Sequence, residues 1–324
     1  MLKIYSPGDG GATCVTDPSY ESLPVGAAWI DMISPTRDEE VFIERALGIA
    51  VPTRDEMIEI EPSSRLYTEG DATVLTANLL IGVDKDPVST AVSFVLTPTV
   101  LITIRYAEPR VFETFAAHAG RATLVSADPA MTLVNLLDAI VDRLADSLEG
   151  VGGEMDQVSR STFRRANSKQ QRMTTAALTV LLDRIARAQD IVSKARDSAV
   201  SLARLLSFAS FAMKKTGNGT RDHLKSLSRD VASLTDHATY LSGNVTFLLD
   251  AALGLINIEQ SAIIKIFSVG SVIFLPPTVI ASIYGMNFVA MQELHWAYGY
   301  PFALGLMVLS AVGPYYFFKA RGWL

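Results

Sequence analysis

The chain has 324 residues, room for two or three structural units; 49% are hydrophobic and only 19% are charged. A formal net charge of −6, with no basic stripe to meet phosphates, excludes a nucleic-acid partner. The single cysteine, Cys14, excludes an intrachain disulfide and fits a reducing compartment.

Met1 to Ser6 leads into Pro7, Gly8, Asp9 and Gly10 with no apolar run behind, so no secretion signal is expected. Residues 1–130 are expected to form a cytoplasmic α/β domain. Its strands are predicted over Ala27 to Ile33, Ala72 to Ile81, Thr90 to Leu96 and Val100 to Tyr106, all rich in Val, Ile, Thr and Leu. Helices are expected from Thr36 and Thr53, each followed three residues later by a glutamate (Glu39, Glu56) in the capping-box pattern. Another is expected to start near Glu108 or Pro109.

Between Pro129 and Pro276 there is no proline, and apolar residues recur at helical spacing. Residues 131–260 are therefore read as a long-helix and stalk region: one helix from Met131 to Asn167, one from Arg172 to Lys214, and a third from Arg221 that can run on into the membrane. Lys215 to Thr220 is a turn, and Gly150, Gly152 and Gly153 either kink the first helix or split it.

Residues 266–292 carry no Asp, Glu, Lys or Arg, and neither do residues 294–318. Each gap exceeds the roughly 20 residues that cross a hydrocarbon layer. Residues 261–324 thus read as a transmembrane hairpin with a short tail: spans at about 264–286 and about 297–318, joined by a short outer loop over 287–296. Lys265 precedes the first span, Lys319 and Arg321 follow the second, and the loop has Glu293 but no Lys or Arg. Basic flanks remain inside, which places both termini in the cytoplasm.

At about 100° per residue, the hydroxyls of Ser261, Ser268, Ser271, Thr278 and Ser282 fall within an arc of about 100° on the first span. Ile264 and Leu275 share the arc and Phe267 flanks it; Val269, Ile273, Ile280 and Tyr284 lie opposite. Small polar residues in a narrow row serve either close helix packing or the wall of a conduit. A row of hydroxyls without a carboxylate suits a cation that keeps its water, as Mg²⁺ does. If the row lines a conduit, several copies of the span must surround it, with the second span facing lipid.

Other chemistries are excluded by what is missing. There is no G-x-x-x-x-G-K-[ST] nucleotide motif, so an ATP-driven pump is disfavoured. His118, His223, His237 and His295 are scattered and form no H-E-x-x-H pair, so a metalloenzyme is disfavoured, and no enzymatic activity or organic cofactor is expected.

Tyr284-Gly285-Met286-Asn287-Phe288, at the end of a span containing Phe274-Leu275-Pro276-Pro277-Thr278, resembles the defining motif of the CorA magnesium channels. The resemblance, strongest to the enterobacterial branch, extends to Met291-Gln292-Glu293-Leu294, Gly299-Tyr300-Pro301 and the ending Trp323-Leu324, and covers about residues 247–324 closely. It implies a funnel-shaped homopentamer in a bacterial inner membrane: an α+β cytoplasmic domain with long stalk helices, then a two-helix transmembrane hairpin. It further implies a selectivity filter at Gly285, Met286 and Asn287. The pore lining would be Ser261, Ile264, Phe267, Ser271, Leu275, Thr278 and Ser282, with Ile264, Phe267 and Leu275 as hydrophobic constrictions. Glu293 would sit at the outer mouth, and Lys265, Lys319 and Arg321 in a basic belt against the lipid. The implied cargo is Mg²⁺, with Co²⁺ or Ni²⁺ alongside, and cytoplasmic Mg²⁺ closing the channel through carboxylates for which Asp230 and Asp236 are the candidates. Ser261 replaces the family's frequent Asn, Val289 its acidic loop residue and Gln292 its loop proline, which leaves one carboxylate per subunit at the mouth. The alternatives are a zinc transporter of the ZntB type, against which Met286 and the Met-x-Glu-Leu loop speak, and a membrane anchor without transport.

Overall fold

The computed structural model of the chain describes residues 1–8, 11–16, 22–59, 61–119, 124–167, 175–213, 217–286 and 296–323. These form two compact units. One is Met1–Phe163 with Thr179–Leu249; the other is Arg164–Leu178 with Asp250–Leu324.

The first unit is built on a seven-stranded sheet of β1 (Leu2–Ser6), β2 (Thr13–Thr16), β3 (Trp29–Ile33), β4 (Leu66–Glu69), β5 (Ala72–Ile81), β6 (Val88–Leu96) and β7 (Leu101–Arg105), in the order β2-β1-β3-β7-β6-β5-β4. Only β3 and β7 pair in parallel; the other pairs are antiparallel. Every residue of these two strands is buried, which is why Trp-Ile-Asp-Met-Ile and Leu-Ile-Thr-Ile-Arg read as almost unbroken apolar runs. The four expected strands are β3, β5, β6 and β7. β1, β2 and β4 were not expected.

The two charged residues inside the parallel pair meet each other. Arg105 donates through Nε to Asp31 Oδ1 (3.0 Å) and through a terminal nitrogen to Oδ2 (2.9 Å), with both side chains almost fully buried. Thr103 Oγ1 adds a third hydrogen bond to Asp31 (2.8 Å), and it accepts one from the Trp29 indole (3.0 Å). The guanidinium also donates to the Ala107 carbonyl and lies over the Phe112 ring. A buried ion pair of this kind persists only because each charge is hydrogen-bonded as well as paired.

Around the sheet lie α1 (Arg37–Leu47), α2 (Arg54–Ile58), α3 (Pro62–Arg65) and α4 (Arg110–Ala119). Both capping boxes form: Thr36 and Thr53 accept from the backbone of Glu39 and Glu56, whose carboxylates accept in return. Then come α5 (Pro129–Asn167), α6 (Thr175–Ala212) and α7 (Asn218–Tyr284). α5 runs as one helix through its three glycines. The glycines cost helix propensity, but Leu144, Leu148, Val151 and Met155 bury the same face on either side of them and hold the helix together. On α7, Leu224, Leu227, Val231, Ala238, Leu241, Val245 and Leu248 form a buried row at three-, four- and seven-residue spacing.

The second unit contains the remainder of α7, from Asp250, and α8 (Gly299–Ala320). Both helices are long and apolar enough to cross a membrane.

Candidate functional site

α7 continues unbroken past Pro276 and Pro277. Neither proline has an N–H to return to the carbonyls of Val272 and Ile273, so the helix loses two backbone bonds there. Nearby hydroxyls bond other carbonyls of the same helix. Thr278 Oγ1 donates to the carbonyls of Phe274 and, at 3.1 Å, Leu275, and one turn earlier Ser271 Oγ donates to Phe267 O (2.9 Å). These hydroxyls have spent their protons on their own helix, so outward they present lone pairs.

The two faces of this helix differ. Ser261, Ile264, Phe267, Ser271, Leu275, Thr278 and Ser282 are all exposed, the large ones strongly: Ile264 66%, Phe267 73%, Leu275 62%. Opposite them Val269 is buried at 4%, and Ile273, Ile280 and Tyr284 are half-buried. The row expected to line a conduit thus lies on the uncovered side of α7, which it shares with exposed apolar residues such as Phe274 and Ile266. Lys265 belongs to the covered side: its Nζ lies 3.4 Å from the Gly322 carbonyl and 5.4 Å from the centre of the Trp323 ring. The start of the first span therefore stands beside the end of the second, an antiparallel hairpin. Lys319 and Arg321 lie over the rings of Tyr315 and Phe317 on their own helix.

At the other end α7 stops at Tyr284, and the chain tightens: Gly285 N donates to Ala281 O (2.9 Å) and Met286 N to Ile283 O (3.3 Å). A Cβ at position 285 would sit 3.1 Å from the Ala281 carbonyl oxygen, closer than a backbone neighbour accommodates easily, so glycine has a steric reason here. Met286 is exposed. Asn287 and Glu293 lie outside the described residues.

Asp230 and Asp236 are both exposed on α7, six positions and so about 120° apart around the helix; the fold does not bring them together. Asp230 stands near an acidic row on α5. Burial, followed by the charges of Asp138, Asp146 and Asp230, pushes the Asp142 carboxyl above its usual range. Asp236 lines a groove of about 740 Å³ with Arg204, Phe208 and Phe211. Among the described residues no group of three or more His, Cys, Asp or Glu is placed to hold a metal. The contact of Lys265 with Gly322 and Trp323 was missed by sequence reasoning. A glycine two residues past the helix, followed by an aromatic five residues after Phe318, is the signal that could have found it.

The family described as CorA-like Mg2+ transporter protein matches residues 25–320. The magnesium transport protein CorA of Escherichia coli strain K12 is 34% identical over 306 residues, 94% of this chain and 94% of that protein. That of Pectobacterium atrosepticum is 34% identical over 299 residues, 91% of this chain and 92% of its own. In structure the chain is similar to the CorA magnesium transporter from Methanocaldococcus jannaschii, with a TM-score of 0.74 at 18% identity over 100% of this chain and 99% of that one. It is also similar to the ZntB cytoplasmic domain from Vibrio parahaemolyticus, with a TM-score of 0.59 at 10% identity over 80% and 98%. These two likenesses speak for the fold; the family rests on the sequence matches.

Proposed function

We propose that this chain, which belongs to the CorA-like Mg2+ transporter family, is one subunit of a homopentameric channel carrying hydrated Mg²⁺ into the cytoplasm across a bacterial inner membrane. The observation that carries the proposal is the narrow row of hydroxyls on the uncovered side of α7, opposite the side covered within its own unit. Two spans of one chain cannot enclose a conduit, so copies of α7 surround it and α8 faces lipid. Hydrated Mg²⁺ turns the hydrogens of its water outward and gives that water up reluctantly. Ser271 and Thr278, whose protons point back along the helix, meet those hydrogens as acceptors.

Within that arrangement Ile264, Phe267 and Leu275 form apolar rings that close by excluding water. Gly285, Met286 and Asn287 form the outer filter, in which the Asn287 amide oxygen accepts from the hydration shell, and Glu293 draws cations to the mouth. Lys265, Lys319 and Arg321 mark the cytoplasmic interface and so place both termini inside. The membrane potential supplies the drive, about 4.6 kcal/mol per 100 mV for a divalent ion. Co²⁺ and Ni²⁺ share the path as hydrated ions of the same charge. Mg²⁺ bound between cytoplasmic units closes it, with Asp230 and Asp236 as its carboxylates.

The test is metal uptake by the purified full chain in liposomes, comparing Mg²⁺, Zn²⁺ and Co²⁺ with and without a proton gradient. The expected result is Mg²⁺ uptake that follows an inside-negative potential and ignores the proton gradient. Proton-dependent Zn²⁺ uptake without Mg²⁺ uptake would transfer the function to the ZntB-type alternative. Native mass spectrometry of the detergent-solubilised chain should give a pentamer, and a stable monomer or dimer would remove the conduit.

A further inference from the structure

α8 ends in a cap whose geometry reaches across to α7. Gly322 adopts a left-handed φ of 68°; its N–H donates to Lys319 O (3.1 Å) and the N–H of Trp323 to Phe318 O (2.9 Å). This is the paired backbone bonding of a Schellman motif, and the apolar contact that accompanies such caps is present. The Trp323 ring stacks on Phe318 with centroids 5.4 Å apart and planes at 27°. The turn leaves two groups facing the neighbouring helix, the Gly322 carbonyl and the face of Trp323, and both converge on the Lys265 ammonium at 3.4 and 5.4 Å. The other two cations nearby, Lys319 and Arg321, lie over aromatic rings of α8 itself, so the contact from α8's end to α7 runs through Lys265.

Lys265 directly follows Ile264 and precedes Phe267 by two residues, the first two bulky side chains of the uncovered row. A side chain fixed on the covered face of a helix fixes the helix's rotation about its axis. With side chains about 5 Å from the axis, a rotation of about 20° moves their tips by about 2 Å. That is enough to widen or shut an apolar ring of five.

We propose that the Gly322-Trp323 tail is a clasp that sets the rotation of the first span, making Trp323 and Gly322 positioning residues for the constriction at Ile264 and Phe267. This rests on the channel reading given above. Without the clasp, Lys265 loses its carbonyl and its ring, and the cytoplasmic end of the span turns in its socket.

The experiment uses the full-length chain in a Cys14→Ser background, carrying either Ile264→Cys or Ile266→Cys and labelled from water by a charged thiosulfonate. With the native tail, Cys at 264 should react faster from the aqueous conduit than Cys at 266. Trp323→Ala and, independently, Gly322→Ala should each shrink that ratio roughly threefold or more, with Trp323→Phe restoring it. Liposome uptake of Mg²⁺ in the Ile264 background should change with the two disrupting variants and recover with Trp323→Phe. A general loss of stability would not redistribute reactivity between two neighbouring positions or be repaired by a ring alone. An unchanged ratio and unchanged uptake in both disrupting variants overturn the clasp and leave the channel reading standing. If Cys at 264 is no more reactive than Cys at 266 even with the native tail, the conduit register is wrong and the proposal falls with it.

Discussion

Asp31→Asn is a sharp test of how the sheet of the first unit is held. The carboxylate accepts from Arg105 at 3.0 and 2.9 Å and from Thr103 at 2.8 Å. Its side chain is 2% exposed and that of Arg105 6%. The amide removes the charge and offers an N–H where one of the guanidinium donors now points, so Arg105 remains buried with a full charge and, facing it, only a neutral amide oxygen, the Ala107 carbonyl and the Phe112 ring. Breaking one side of a buried pair costs about 3–5 kcal/mol. For a unit of this size each kcal/mol is worth about 2–4 °C, so the melting temperature should fall by about 10 °C. Circular dichroism of the detergent-solubilised full chain measures it. The Trp29 emission should shift as well, because the indole donates to the same Thr103 hydroxyl. Asp31→Leu with Arg105→Met removes both charges for apolar groups and should recover most of the loss. A change within about 2 °C for Asp31→Asn, in a transition that remains cooperative, would refute the assignment of the pair as a buried, mutually dependent unit.

Three further outcomes are expected. Because the folded Asp142 carboxyl lies above its usual range, the folded chain binds more protons than the unfolded one in the window between the two values, and ionisation at neutral pH costs stability. Asp142→Asn should therefore raise the melting temperature at pH 7, and the gain should shrink as pH falls through the raised value and vanish below about pH 4; an equal gain at both ends contradicts the reasoning. Asn287→Gly should abolish Mg²⁺ uptake while assembly persists, whereas a residue that only capped the helix would tolerate glycine, so near-normal uptake moves the filter elsewhere. Thr278→Val retains the shape and deletes the acceptor, and Thr278→Ser retains the acceptor; liposome uptake should fall in the first and persist in the second, and equal uptake in both would mean that the hydroxyl serves only its bonds to the Phe274 and Leu275 carbonyls.

What was legible in the chain follows what leaves a periodic trace. β5 and β7 are packed along most of their lengths, and runs rich in Val, Ile, Thr and Leu announce them. β2 and β4 are the two edges of the sheet, four residues each and largely exposed, so burial imposes no pattern on their sequences. β1 left a trace that was passed over: Leu2 and Ile4 alternate with Lys3, and both are buried against the sheet. The uncovered row on α7 was legible because a 3.6-residue period places each side chain without any knowledge of partners. The Asp31–Arg105 pair and the Lys265–Trp323 contact were not, since each joins residues far apart in the chain that only the tertiary fold brings together.

The ligand chemistry of that row separates two cargoes that differ little in size and charge. Zn²⁺ is held by sulfur, imidazole nitrogen and carboxylate in direct bonds, and a path selective for it must supply such groups as the ion sheds water. The row on α7 offers four hydroxyls, two branched aliphatic side chains and one phenylalanine. Ser271 and Thr278 turn their hydrogens back into the helix, which leaves oxygen lone pairs for whatever passes. Such a wall exchanges hydrogen bonds with a hydration shell at little cost and replaces none of the bonds between the ion and its water. The cation that benefits most is the one whose water is hardest to remove, and among the metals in question that is Mg²⁺. If that row lines the path, Ser271 and Thr278 offer an anion no donor, because their protons already go to the carbonyls of Phe267, Phe274 and Leu275, and the lone pairs left facing outward favour a cation.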